Sequence, residues 1–212
     1  MSDESFAGYE RVKQKVGQQL KDLGLQYIDL YMLHSPLSNK ELQAQTWRAL
    51  TELYHAGVIK SLGVSNFSGA ELRHIVDTSE VPPMVVQNKF DLYHQGKQLD
   101  SEGDDVVAYA KSRGIALVAY SSFSAYPFAM LPTYDPIVIY LAQRQSVPVT
   151  PAMLLLRWTL QLGGTAVIPR STSKARLQEN LSVLTMAPIS EEHMAMLNLL
   201  QYLISSPVYR PS

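Results

Sequence analysis

Cysteine is absent from the 212 residues. A disulfide scaffold, a zinc ribbon, an iron–sulfur site and a cysteine nucleophile are therefore excluded. Charge is scarce too: charged residues make up 17%, against about 25% in a typical globular chain. The scarcity argues for a chain that buries much of its surface, and against disorder. Lys+Arg is 18 and Asp+Glu 19, a net charge of −1, which does not favour nonspecific nucleic-acid binding. No apolar run reaches the ~18 residues that span a bilayer. The start, Met1-Ser2-Asp3-Glu4-Ser5, is acidic and polar rather than signal-like. A soluble, cytoplasmic protein with no membrane or nucleic-acid partner is expected. GxGxxG after a strand, GxxxxGK[ST] and GxSxG are all missing, so a Rossmann site, a P-loop and a hydrolase nucleophile have no support. The other histidines, at 55, 74, 94 and 193, show no ligand spacing, and no metal site is expected.

What is present is a repeated pattern. A stretch with apolar residues three or four apart ends at glycine, and a short apolar run follows. Tyr9, Val12, Val16, Leu20 and Leu23 line a helical face, Gly24 stops it, and residues 27–34 read as a strand. Leu42, Thr46, Trp47, Leu50 and Leu53 precede Gly57 and a run at 58–66. A weaker helix at 71–76 leads to a run at 83–90; Val106, Val107 and Ala110 precede Gly114 and a run at 115–122. A long loop and a helix at 137–143 follow. Thr150-Pro151 reads as a helix start, the helix ends at Gly163-Gly164, and the last run covers 165–171. Helices at 174–184 and 191–200 complete the chain. Each gap has room for a crossover helix, so the strands should be parallel and covered on both faces. The pattern predicts one α/β domain over residues 1–212, either an open doubly wound sheet or a closed barrel.

The predicted strands end in polar residues: His34, Ser65-Asn66, Gln87-Asn88, Tyr120-Ser121 and Arg170-Ser171. In parallel α/β folds ligands bind at the carboxyl ends of strands, so these ends should converge on one site. The plain alternative, position by position, is that strand ends meet water. His34 shares strand parity with Ile28, Leu30 and Met32, and such a histidine is often a satisfied core residue. Asp29 falls on the other face and there should need a partner. Arg170-Ser171-Thr172-Ser173-Lys174-Ala175-Arg176 joins the last strand to a helix. Hydroxyl residues at a helix start, with the helix dipole and two arginines, suit a phosphate. The alternative there is an N-cap with a basic solvated face.

Five segments in order, LGLQYIDLYMLHSP, AGVIKSLGVSNF, VVQNKFDLY, GIALVAYSSFS and VIPRSTSKARLQEN, resemble the aldo-keto reductase superfamily over residues 8–181. The resemblance implies an incomplete (β/α)8 TIM barrel with about five parallel strands and surrounding helices, binding NADP(H) with NADPH preferred. It implies an oxidoreductase reducing an aldehyde or ketone. His34 matches the catalytic histidine that polarises the carbonyl. Ser65, Asn66 and Gln87 match the residues that hold the nicotinamide carboxamide, and Tyr120 the ring stacked on the nicotinamide. Ser121 opens the loop over the pyrophosphate. Arg170, Ser171, Thr172 and Arg176 match the 2′-phosphate cluster, and Glu179 and Asn180 the adenine contacts. Two departures stand out: Ser121-Ser122-Phe123-Ser124 replaces the usual S-P-L-G, and Arg170 replaces the usual lysine.

Three strands of the family barrel have no counterpart here, and with them go an aspartate, the tyrosine acid and its lysine. Tyr9 lies in a helical context and does not match that acid. The chain alone is therefore expected to be weakly active or inactive, with the strands at Tyr27 and Thr165 as open apolar edges and self-association through them. A rival expectation is a non-catalytic nucleotide-binding or interaction protein derived from the same barrel; a weaker one is an unrelated barrel lyase or isomerase acting on sugar phosphates.

Overall fold

A computed structural model describes residues 7–96, 105–124, 131–163 and 165–204. Helices and strands alternate: α1 (Tyr9–Leu23), β1 (Tyr31–Leu33), α2 (Lys40–His55), β2 (Leu62–Ser65), α3 (Gly69–Thr78), β3 (Val85–Lys89), α4 (Val106–Ser112) and β4 (Ala116–Tyr120). Then come α5 (Pro136–Gln143), α6 (Pro151–Gln161), β5 (Thr165–Val167), α7 (Lys174–Ser182) and α8 (Glu191–Ile204). This is an α/β fold with five strands among the described residues, three fewer than a closed eight-stranded barrel. The residues form two compact units, 1–88 with 101–116, and 89–100 with 117–212.

In the first unit β1, β2 and β3 pair in parallel, with Met32 beside Gly63 and Gly63 beside Val85. Gln87 stands beside Ser65 two residues further on. The helices are set by local chemistry. Val12 and Val16 bury one face of α1, and Gly24 ends it in the left-handed conformation at φ 66, accessible to glycine without strain. Asn39 caps α2 by accepting from the Leu42 amide. A capping box the sequence reading missed, Ser68 with Glu71, starts α3. It extends the weak 71–76 helix to Gly69–Thr78. Trp47 on α2 is buried and donates its indole N–H to the Val81 carbonyl at 2.9 Å.

The strand expected at 27–34 is shorter, Tyr31–Leu33. Ile28 pairs with Ile59 in the same register, and a bend at Asp29 interrupts the ladder. Asp29 is exposed and needs no partner. β1 pairs only with β2 among the described residues, and Leu23, Leu25 and Tyr27 just before it are exposed. The last strand is likewise Thr165–Val167 rather than 165–171.

Gly63 is the tight point of this sheet. A Cβ there would lie 2.7 Å from Met32 Cγ and 3.0 Å from the Val85 carbonyl oxygen. The side chain can move but the strand cannot. Gly63→Ala should therefore destabilise the protein by about 1–3 kcal/mol, the usual cost of overpacking. Urea denaturation measures this, and an unchanged midpoint would show that the sheet absorbs the methyl.

In the second unit β4 and β5 pair in parallel, with Ala119 beside Val167. Its core is α6, whose Leu154, Leu155, Leu156 and Trp158 are buried. Thr150 caps that helix by accepting from the Met153 amide, as the Thr-Pro pair predicts. Trp158 stacks on Phe90 at 5.5 Å between centroids and donates to Asn198 Oδ1 on α8 at 2.8 Å. Asp91, fully buried, shapes a turn: it accepts from the Tyr93 amide at 2.9 Å and meets His94 Nδ1 at 2.9 and 3.0 Å. Lys89 Nζ lies 3.6 Å from the same carboxylate. On α7 no described residue is buried, and Leu177, Leu181 and, just beyond it, Leu184 are exposed at helical spacing.

Candidate functional site

The first unit gathers four of the predicted site residues at the carboxyl ends of β1, β2 and β3. Residues paired across a parallel sheet point to the same face, so Met32, Gly63 and Val85 form one row and Ser65 and Gln87 the next. Continuing the β1–β2 register by one residue sets His34 beside Ser65. His34 is exposed, so it is not the satisfied core histidine of the plain alternative.

Asn66 closes this corner. Its Nδ2 donates to the His34 carbonyl at 2.8 Å and to Ser65 Oγ at 3.2 Å. Its backbone N–H donates to the Gln87 carbonyl at 3.0 Å. It does so at φ 61, in the left-handed region. Ser121, at φ 59, is the other non-glycine residue in that region among the described residues. Both follow a strand directly and both are predicted site residues. Such backbone costs of order 1–3 kcal/mol and concentrates at functional sites.

The second unit carries the rest. Burial pushes the Tyr120 phenol above its ordinary pKa, with a Lys89 main-chain hydrogen bond pulling the other way, so the ring stays neutral. Ser122, next to the Ser121 corner, is buried, and its Oγ has no hydrogen-bond partner among the described residues. An unpartnered buried hydroxyl costs about 1–3 kcal/mol, which an oxygen-rich ligand could recover. Past β5, Ser171 Oγ accepts from the Ser173 amide at 3.1 Å, and Ser173 caps α7 by accepting from Arg176 N–H. Arg170, Thr172 and Arg176 are exposed around this nine-residue helix start. Neither guanidinium makes an ion pair among the described residues. Asn180 is half-buried on α7, and the Glu179 carboxylate accepts from the Thr150 hydroxyl that caps α6.

Tyr9 is the first residue of α1, as its helical context suggests. Its hydroxyl donates to Glu52, and Lys13 Nζ lies 3.2 Å from the same oxygen. The hydrogen bond from Tyr9, and a second that Lys13 Nζ donates to Glu52 Oε2 at 3.1 Å, hold the Glu52 carboxyl below its usual range. Among the described residues no group of three His, Cys, Asp or Glu could hold a metal ion, and no helix is long and apolar enough to cross a membrane.

The sequence model of the Aldo/keto reductase family matches residues 4–128, more than half of the chain. The protein belongs to that family. An uncharacterized oxidoreductase of Bacillus subtilis, YtbE, is 36% identical over 177 residues, covering 83% of this chain and 57% of the relative. An NADPH-dependent D-xylose reductase of Meyerozyma guilliermondii is 31% identical, covering 84% of this chain and 64% of its own length. The crystal structure of an aldo/keto reductase from Brucella melitensis superposes with TM-score 0.80 at 29% identity, covering 93% of this chain and 70% of that one. The chain thus spans under two thirds of the curated relatives it matches. The aldo/keto reductase fold accounts for the alternation of strands and helices; β2, β3 and β4 end in polar residues, whereas β1 ends at Leu33 and β5 at Val167, so His34 and Arg170-Ser171 lie beyond their strands. Sequence reading found those ends through the motifs; the left-handed corners, the capping box and the Asp91 turn escaped it, although S-x-x-E at 68–71 was there to be read.

Proposed function

We propose that this chain binds NADP(H) and belongs to an oxidoreductase that reduces an aldehyde or ketone to an alcohol. The observation that carries the reading is the row of His34, Ser65 and Gln87 closed by Asn66, with the strand register and three hydrogen bonds behind it. Ser65, Asn66 and Gln87 are all capable of bonding a carboxamide. Tyr120 offers a neutral ring, and Ser121 and Ser122 a hydroxyl-bearing turn with one buried oxygen still to satisfy. Arg170, Ser171, Thr172 and Arg176 offer two guanidiniums and two hydroxyls at a helix start, a chemistry that fits a 2′-phosphate and so favours NADPH over NADH. Glu179 and Asn180 stand for the adenine side.

When bound, the reduced nicotinamide supplies a hydride to the carbonyl carbon. His34 donates a hydrogen bond to the carbonyl oxygen, where negative charge accumulates, and solvent water supplies the proton that completes the alcohol. Tyr9 contributes no proton to this step, because its hydroxyl is held by Glu52. General acid catalysis is worth about 10²–10⁴-fold, so without a tuned acid this chain alone turns over slowly. The substrate is a small carbonyl compound, the protein cytoplasmic, and residues 1–212 act as a single partial barrel domain. The exposed edge at β1 and the leucines of α7 favour self-association.

A second reading is a nucleotide-binding protein without chemistry, since no tyrosine of this chain stands in the family's acid motif. Titration with NADPH, followed by the blue shift of its fluorescence, tests both. Saturable binding in the micromolar range is expected; none at millimolar cofactor overturns both. Carbonyl-dependent NADPH oxidation that disappears in His34→Ala, with binding retained, decides for the enzyme.

A further inference from the structure

Two asparagines at successive strand ends make the same kind of bond. Asn66, just after β2, donates Nδ2 to the carbonyl of His34, the residue leaving β1. Asn88, near the end of β3, donates Nδ2 to the carbonyl of Phe67 at 2.6 Å, in the loop leaving β2. Each amide reaches back one strand, across 32 and 21 residues of chain, and holds the peptide that exits there. For Asn88 this is the side chain's one polar contact among the described residues, since its Oδ1 is buried without a partner.

We infer that Asn66 and Asn88 are positioning residues: Asn66 staples the peptide leaving β1 and so fixes His34 next to Ser65 and Gln87, and Asn88 staples the peptide leaving β2. This extends the carbonyl-reduction reading, because it gives Asn66 a task beyond contacting a ligand. The geometry supports that task directly. β1 is a three-residue strand whose last pair with β2 is Leu33 with Val64, so His34 lies just beyond the ladder. His34 is exposed, so packing does not hold it either. Its carbonyl is instead held by an amide whose own backbone is bound to β3 through Gln87. Rotating that peptide would turn the imidazole away from the row. Asparagine is the apt residue here: it carries the donor and tolerates the left-handed backbone better than other non-glycine residues.

The test is backbone relaxation and carbonyl shifts by NMR on the ligand-free full chain. The Ser35 N–H shares a peptide plane with the His34 carbonyl and reports on it. In the wild type its order parameter should be near ~0.85, that of rigid backbone, and in Asn66→Gly it should fall toward ~0.6 or below, with a shift of the His34 carbonyl carbon. Glycine accepts φ 61 without strain, so this variant removes the amide and keeps the corner. Asn66→Asp, which keeps the side-chain shape without the donor, should do the same and serves if the glycine variant does not fold. Asn88→Ala should disturb the Ser68 amide and leave Ser35 rigid. An unchanged Ser35 amide in either folded Asn66 variant overturns the inference. NADPH titration of the wild type separates the two claims: no binding there removes the functional reading and leaves the staple standing, whereas binding with Ser35 unmoved removes the staple alone.

Discussion

Replacing Arg170 and Arg176 together by alanine should weaken NADPH binding by about 10–100-fold and leave NADH binding within a few-fold of the wild type. Hydrogen bonds to a charged group are worth about 1.5–3 kcal/mol, and each 1.4 kcal/mol is a factor of ten. Both guanidiniums are exposed and make no ion pair among the described residues, so no internal partner is lost with them. They flank the Ser173-capped start of α7, where the helix dipole adds to their field. Because NADH lacks the 2′-phosphate, the ratio of the two affinities isolates these residues from any general damage. Fluorescence titration with each dinucleotide in turn gives that ratio. An equal loss for both would remove the 2′-phosphate role and return the arginines to a solvated basic face.

The largest stability effect is expected at Asp91. It is fully buried, and it accepts from the Tyr93 amide while facing His94 and Lys89, both mostly buried. Asp91→Ala removes the carboxylate that the Tyr93 amide donates to and that Lys89 and His94 face. Removing one partner of a buried charged pair costs about 3–5 kcal/mol. For a chain of this size that corresponds to a fall of roughly 6–20 °C in melting temperature. Calorimetry or thermal denaturation followed by circular dichroism measures it. His94→Ala should cost less, because Lys89 and the Tyr93 amide keep their acceptor. A shift under about 2 °C for Asp91→Ala would mean that the turn is held by other contacts.

Much of the fold was legible because its signals are local. Gly24 ends α1 in the left-handed conformation, Thr150 caps α6, and the gaps between apolar runs demanded parallel strands. Strand lengths were not legible. The apolar run at 27–34 contains a bend at Asp29, and hydrophobicity does not reveal where a ladder breaks. At the site, candidate residues could be read from motifs; the register pairs Ser65 with Gln87, and His34 follows the last β1–β2 pair, Leu33 with Val64. What the motifs could not give was the use of Asn66 and Asn88 as main-chain anchors. An amide written after a strand looks the same whether it faces ligand or peptide; only the partner 32 residues away distinguishes them. The Asp91 turn escaped for the same reason, since a buried carboxylate is recognised by its surroundings rather than by its neighbours in sequence.

The left-handed corners at Asn66 and Ser121 set heat resistance and ligand recognition against each other. Glycine at either position would relax the main chain by as much as about 1 kcal/mol. It would also delete an amide or a hydroxyl from the rim where a cofactor is to be gripped. Breeding this protein for survival at high temperature would therefore gain little at Asn66, whose amide also holds the His34 carbonyl, and at Ser121 would trade away a hydroxyl of the proposed rim.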